Sequence, residues 1–310
     1  MDQKRPFVHQ ALSGSSCSTL TLVFYKLGSI GSTPQSVNLS PLVMLPAQAA
    51  PSPTLPEAKK RSTRYDSPMH SIPPNLDLLH KHEEFIRAES LALVTADEAL
   101  SDHLQAVHDA LDHMRNLMLV KSAPDTDRHT VQLVAIRLFN IGATSLKVGL
   151  SGYYQQGFQL LRDSLETVNL LDLFRADQAK IGEWRVADNK KLKKDFGPAA
   201  VRQALDGFPA YSGQKDGRAR AYAQFSEYAA HATHRGFTLI APSTIPKLGP
   251  FLDAQFLRAL LEDIGRHLAH TTIALSDLIH DNDDGSMVLL AAKAEYLERL
   301  RQYHDKYIKK

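Results

Sequence analysis

The residues best suited to chemistry in this sequence are a glutamate and two histidines. Glu227, His231 and His234 stand at positions i, i+4 and i+7, so a helix would present a carboxylate and two imidazoles on one face. Di-metal sites in helical bundles use Glu-x-x-His from two helices together with further glutamates. Here the spacing is Glu-x-x-x-His, and no second motif accompanies it. These three residues are the candidate metal ligands, but the sequence predicts no metal and no other cofactor.

Other catalytic patterns are absent or arise by chance. The sequence has no phosphate-binding glycine loop, no Gly-x-Ser-x-Gly elbow, no His-Glu-x-x-His and no Cys-x-x-Cys. An Arg-x4-6-His spacing, used by some helical nucleases, occurs at Arg64–His70 and Arg299–His304, as often as the arginine and histidine content predicts by chance. Arg266, His267 and His270 form another cluster, which we interpret as lacking an acidic neighbour at metal-ligand spacing.

A polar stripe runs along the stretch from Gly152 to Phe174, which is otherwise apolar on a broad arc. The stripe consists of Gln155, Gln159, Arg162, Glu166 and Asn169. It has two interpretations. It is either a partly solvated face with an Arg162–Glu166 pair that contributes about 0.2–0.5 kcal/mol, or a polar seam that other segments complete.

The composition narrows the class of protein. The formal net charge of the 310 residues is +2, so no strong overall field attracts nucleic acid or membranes. A single cysteine, Cys17, excludes an internal disulfide framework. No apolar run approaches the roughly 18–20 residues that cross a bilayer. We therefore expect a soluble, cytoplasmic protein without a membrane partner.

The first 74 residues differ from the rest of the chain. Ten of the 16 prolines lie between Pro6 and Pro74, among Ser, Thr, Gln and Ala. Proline at this density interrupts helices and strands, so the composition predicts a disordered extension over residues 1–74. A secretion signal that begins at Lys4-Arg5 and a translation start at Met69 are alternatives for this segment.

Helical periodicity then continues to the end of the chain, and no alternating strand pattern appears. Asn75 is predicted to cap the first helix, and Thr95 with Glu98 to form a capping box for the second. Helices are predicted over 76–93, 96–120, 130–148, 152–174, 198–206, 218–233, 252–280 and 286–306, with a shorter one around Trp184. We predict a single all-α domain over residues 75–310. It is a multi-helix bundle with residues 152–174 as its buried central helix and 130–148 as its most buried helix.

Four segments carry a resemblance to a known family. They are LLRDSLETVNLLDLF (160–174), IGEWRVADNKK (181–191), FGPAAVRQALDG (196–207) and YAQFSEYAAHATHRGF (222–237). Together they resemble a family of uncharacterised bacterial all-helical proteins that is often associated with mobile elements and is distantly similar to HEPN proteins. The likeness covers about residues 128–240. The Arg-x4-6-His motif of HEPN nucleases does not fall inside these segments.

The resemblance implies a set of site residues. They are Arg162, Asp163, Glu166, Trp184, Arg185, Asp188, Ser226, Glu227, His231, Thr233 and Arg235. Since buried charges are stable when they are paired, we expect Arg162, Glu166 and His231 to meet inside the bundle. Trp184 is expected to pack on the central helix.

Three functions fit this reading. The first is an accessory or regulatory protein that binds a protein partner or forms a homo-oligomer. The second is a HEPN-like, metal-independent ribonuclease or toxin, with His231 as general acid–base and Arg162 stabilising phosphate charge. Glu166 is a further catalytic candidate, and of the three functions only this one would require nucleic acid. The third is a metal-binding bundle that uses Glu227, His231 and His234.

Overall fold

A computed structural model describes residues 73–119, 123–124, 126–242, 245–279 and 287–308. In these ranges the chain is helical and forms no strand, so the predicted all-α bundle with a buried central helix is confirmed. The α-helices are α1 (Pro74–Ala96), α2 (Glu98–Met118), α3 (Asp127–Leu150), α4 (Tyr154–Ala176), α5 (Ala179–Arg185), α6 (Asn189–Asp195), α7 (Pro198–Gly207), α8 (Pro209–Ser212), α9 (Lys215–Phe225), α10 (Ala254–Leu278) and α11 (Met287–Tyr307). Residues 1–72 of the predicted extension lie outside the described residues.

Four long helices build the core. α10 packs on α2, α3 and α4, and α3 packs on α2 and α4. α1 and α11 flank α2; α5, α7 and α9 contact α4, and α6 and α8 pack on α7. α10 buries 15 of its 25 residues, whereas α3 buries 11 of 24. The prediction that α3 is the most buried helix is therefore wrong, because Leu133 and Ile136 of α3 face solvent.

Two glycines set the approach of α3, α4 and α10. Gly152 joins α3 to α4 with a φ of 84°, a conformation that favours glycine, and a Cβ there would collide with the backbone of Phe251. A Cβ on Gly157 would lie 2.7 Å from Cδ2 of Leu260. The small residues thus serve both the turn and the close packing of helices.

Helix α3 is, among the described residues, the one long and apolar enough to cross a membrane by length and composition. In the bundle it packs against α2, α4 and α10. This position accounts for its composition, because core helices satisfy the same criterion.

Two predicted helix starts are wrong in detail. Asn75 lies inside α1, whose first turn has no side-chain cap. Asp97, rather than Thr95, caps α2 by accepting a hydrogen bond from the backbone N of Leu100 at 3.0 Å. The hydroxyl of Thr95 instead donates to the carbonyl of Ala92 in the preceding helix. A Thr three residues before a Glu indicates a cap only when no better acceptor lies between them.

The region after α7 is less regular than predicted. α8 occupies part of the predicted loop at 207–217, and α9 ends at Phe225. A π-helical turn, Ser226–Ala230, follows, and His231 has extended backbone angles (φ −101°, ψ 147°). The predicted helix 218–233 therefore ends three residues early. This early end changes where His231 and His234 lie.

Candidate functional site

The polar stripe of α4 faces the segment that follows α9. Nε2 of Gln155 donates to the carbonyl of Gly236 at 3.1 Å, and Nε of Arg162 donates to Oγ of Ser226 at 3.2 Å. Two residues of the stripe thus contact a second segment, as the seam interpretation predicts. The Arg162–Glu166 pair of the other interpretation also forms, and Gln159 is exposed. Asn169, further along the stripe, is buried.

Arg162 lies at the centre of one polar group, which we call the Arg162 cluster: Arg162, Glu166, Arg202, Tyr222 and Ser226. Nη2 of Arg162 is 3.0 Å from Oε1 of Glu166 and donates to the hydroxyl of Tyr222 at 2.9 Å. The guanidinium of Arg202 stacks on the Tyr222 ring, 3.8 Å from its centroid, and that of Arg162 lies 5.2 Å from the same centroid. About a fifth of the Arg162 and Glu166 side chains remains exposed. The cluster is thus partly open to solvent.

Two polar atoms of the Arg162 cluster are buried without a hydrogen bond to any described residue. They are Oε1 of Glu166 and Nη1 of Arg202. Glu166 retains its ion pair with Arg162, so its charge is compensated. Arg202 forms no ion pair with a described residue. Because unpaired buried donors and charges are costly, such groups need an explanation wherever they occur.

The segment from Ser226 to Phe237 is held by its own hydrogen bonds. The hydroxyl of Thr233 donates to the carbonyl of Glu227 at 2.5 Å and accepts from the backbone N of Gly236 at 2.9 Å. π-Helical turns such as Ser226–Ala230 occur frequently at functional sites. Here the turn places Ser226 against Arg162 and directs the following residues outward. We call this stretch the 226–237 segment.

His231 does not join Arg162 and Glu166. It is exposed, and no hydrogen bond or ion pair links its imidazole to either residue within the described part of the chain. His234 is also exposed, and Glu227 pairs with Arg235 at 3.0 Å on the surface. Since the helix ends before His231, the i, i+4, i+7 face does not form. Among the described residues no three His, Cys, Asp or Glu side chains are arranged to hold a metal ion.

The other residues implied by the resemblance have separate local partners. Asp163 binds the guanidinium of Arg137 through both carboxylate oxygens, at 2.8 and 2.7 Å. Arg185 pairs with Asp127 at 2.8 Å, and Asp188 caps α6. Trp184 packs edge-on against Phe174 of α4, with ring centroids 5.9 Å apart, as predicted. None of these side chains contacts the Arg162 cluster through a hydrogen bond or ion pair.

The polar stripe continues one turn further into a second group, the Asp172 cluster: Asp172, Arg175, His270 and Asp277. Oδ2 of Asp172 is 2.9 Å from Nε2 of His270, and its Oδ1 is 3.2 Å from Nη1 of Arg175. Arg175 also pairs with Asp277. Burial alone would raise the pKa of the Asp172 carboxyl, but His270 and Arg175 outweigh burial and hold that pKa below its usual value. Both oxygens of this buried carboxylate have partners.

A cleft of about 380 Å³ opens beside the Asp172 cluster, where α4 and α10 end. Arg175 and Asp277 line one side of it, and Phe208, Pro209 and Tyr211 line the other. Burial and the neighbouring aspartates raise the pKa of Tyr211 to about 12, so its hydroxyl stays neutral at physiological pH.

α10 carries further buried polar groups. Arg266 pairs with Glu262 at 3.6 Å and with Asp263 at 3.7 Å. Burial raises the pKa of Asp263 to about 7 and lowers that of His267 to about 3. The Arg299–His304 match lies on α11, where Arg299 is paired with Asp109 and Glu295.

Part of both clusters was accessible to sequence reasoning. Asp172 and Arg175 continue the stripe at helical spacing beyond Asn169, and Tyr222 stands one turn before Ser226. Arg202 of α7 stacks on Tyr222, and His270 of α10 contacts Asp172; no local spacing indicates either contact.

Comparison of the chain with models of known protein families, with curated proteins and with solved structures finds no match.

Proposed function

We propose that this protein is an accessory or regulatory factor that acts by binding a protein partner. Its recognition surface is the 226–237 segment together with the adjoining Arg162 cluster. The bacterial, mobile-element context implied by the sequence resemblance, and a cytoplasmic location, belong to the same proposal.

The observation that carries this proposal is a rigid backbone with exposed side chains. Thr233 closes the segment on itself through Glu227 and Gly236, and Gln155 and Arg162 tie it to α4. Meanwhile His231, His234, Arg235 and Phe237 are exposed. A loop that is already ordered loses little conformational entropy on binding, and rigid scaffolds that present exposed polar and aromatic side chains are typical of recognition sites.

The geometry favours binding over the two alternative functions. A general acid–base residue has to lie within hydrogen-bond reach of the reacting group. Among the described residues, no hydrogen bond or ion pair links the imidazole of His231 to the Arg162 cluster. The ribonuclease alternative therefore has no general acid–base residue next to Arg162. The metal-binding alternative lacks three grouped ligands in the described ranges.

The test uses the full chain with an affinity tag in cells that carry its gene. We expect a partner, captured by cross-linking, to co-purify with the wild type and to be lost with the double variant His231→Ala, His234→Ala. The matched control is His80→Ala, His82→Ala, because these two histidines are equally exposed on α1.

Two results would contradict the proposal. One is equal recovery of the same partner with the segment variant and the control. The other is cleavage of RNA by the purified protein that disappears with His231→Ala, which would support the ribonuclease alternative instead.

A further inference from the structure

We propose that the Arg162 cluster binds an oxyanion, a phosphate or carboxylate group whose oxygens accept hydrogen bonds from Arg202 and Arg162. This inference rests on the proposed function in that it takes the cluster as part of the recognition surface. It adds the chemical class of the group that the surface receives.

The charges of the Arg162 cluster do not balance. The cluster contains two guanidinium groups and one carboxylate, which leaves one positive charge in excess. Glu166 compensates Arg162, since Oε1 and Nη2 lie 3.0 Å apart. Arg202 has no ion-pair partner among the described residues, and its Nη1 is buried. Arg202 as a whole is half-buried, and a partly desolvated charge is more stable beside a counter-charge, so an anion is the ligand that we infer for this cluster.

Tyr222 fixes the positions of the two arginines. Stacking on the Tyr222 ring at 3.8 Å orients the plane of the Arg202 guanidinium, and the Tyr222 hydroxyl holds Nη2 of Arg162 at 2.9 Å. One side chain therefore positions both cations. A planar guanidinium presents paired donors that match the two oxygens of a carboxylate or phosphate. The donors are in place before the ligand arrives.

Oε1 of Glu166 is buried and lies 3.0 Å from Nη2 of Arg162, but this ion pair does not supply it with a hydrogen bond, and no other described residue does. A carboxylate ligand offers acceptors alone, whereas a singly protonated phosphate also has a hydroxyl that donates. A phosphate can therefore satisfy the glutamate oxygen as well as the arginine donors. We expect phosphate to bind more tightly than a simple carboxylate.

The experiment measures binding of inorganic phosphate and, separately, of acetate to the full chain by calorimetry at pH 7 and constant ionic strength. The variant is Arg202→Met, which keeps contact with Tyr222 and removes the charge. The matched control is Arg137→Met, because Arg137 is an exposed guanidinium already paired with Asp163. We expect saturable phosphate binding in the wild type and the control, and binding at least tenfold weaker in Arg202→Met.

A second variant keeps the test valid if Arg202→Met does not fold. Arg202→Lys retains the positive charge without the planar pair of donors, and we expect several-fold weaker phosphate binding. Tighter binding of acetate than of phosphate would identify a carboxylate as the source of the oxyanion. Absence of saturable binding of both anions, or phosphate binding unchanged by both Arg202 variants, would overturn the inference.

This test separates the inference from the proposed function. If partner capture depends on His231 and His234 while neither anion binds, the inference fails and the proposed function stands. If phosphate binds through Arg202 while partner capture ignores His231 and His234, the proposed function fails and the anion site stands.

Discussion

The two ends of one polar stripe on α4 contrast in how their charges are satisfied. In the Asp172 cluster, a buried carboxylate has His270 at 2.9 Å and Arg175 at 3.2 Å, and Arg175 has a second aspartate beyond it. In the Arg162 cluster, one arginine is paired, and a second has no counter-charge within the described part of the chain. Two buried polar atoms there have no hydrogen bond to a described residue. Along one face of α4, the charges of the Asp172 cluster are thus all paired, whereas those of the Arg162 cluster are not all paired within the described residues.

This difference distinguishes structural charge from functional charge. A satisfied buried ion pair fixes how helices pack, and the loss of one partner is strongly destabilising. An unsatisfied group lowers stability in the free protein and is retained where a ligand completes it. The Asp172 cluster therefore holds α4 against α10, whereas we propose that the Arg162 cluster receives another molecule.

The largest expected loss of stability is in the Asp172 cluster. Asp172→Asn removes a buried negative charge but keeps the side-chain size, so Arg175 and His270 lose their shared partner. We expect the free energy of unfolding to fall by about 3 kcal/mol, measured by urea denaturation. The control Asp163→Asn breaks an exposed pair and should cost less than about 1 kcal/mol. Equal losses in the two variants would remove the distinction between buried and exposed pairs.

The pH dependence sharpens this prediction. His270 and Arg175 hold the pKa of Asp172 below its usual value, so the carboxylate stabilises the fold above the unfolded-state pKa of about 4. That contribution is lost as the pH falls from there toward the folded-state pKa. The gap in unfolding free energy between wild type and Asp172→Asn should therefore narrow below about pH 4. A gap that stays constant down to pH 2 would contradict the assignment.

The sequence predicts contacts between residues that are close along the chain better than contacts between distant ones. Helical periodicity identified α4 and its stripe, and the resemblance selected the segment that meets it. The resemblance favoured His231 as the partner of Arg162, whereas Ser226 and Tyr222 are the residues that bond to Arg162. The reason is that α9 is followed by a π-helical turn, which helical periodicity does not reveal. Arg202 contacts Tyr222 from α7, and His270 contacts Asp172 from α10; such contacts arise from packing rather than from local spacing.

A smaller effect tests which residues join the 226–237 segment to α4. Arg162 donates to Ser226, so a double-mutant cycle between Arg162→Ala and Ser226→Ala should show a coupling of about 0.5–1 kcal/mol. The matched cycle between Glu166→Gln and His231→Ala should be additive within about 0.5 kcal/mol, because no hydrogen bond or ion pair links those residues in the described chain. Coupling in the second cycle and additivity in the first would restore His231 as the contact.

The central claim, that the Arg162 cluster is maintained for a ligand rather than for the fold, is tested most directly by the stability of Arg202→Met. The substitution keeps apolar contact with the Tyr222 ring and removes a half-buried charge that has no counter-charge among the described residues. Urea denaturation in a buffer free of phosphate and carboxylates should show a free energy of unfolding that is within about 0.5 kcal/mol of the wild type or higher than it. A loss of more than about 1.5 kcal/mol would mean that Arg202 supports the fold, and would contradict the account.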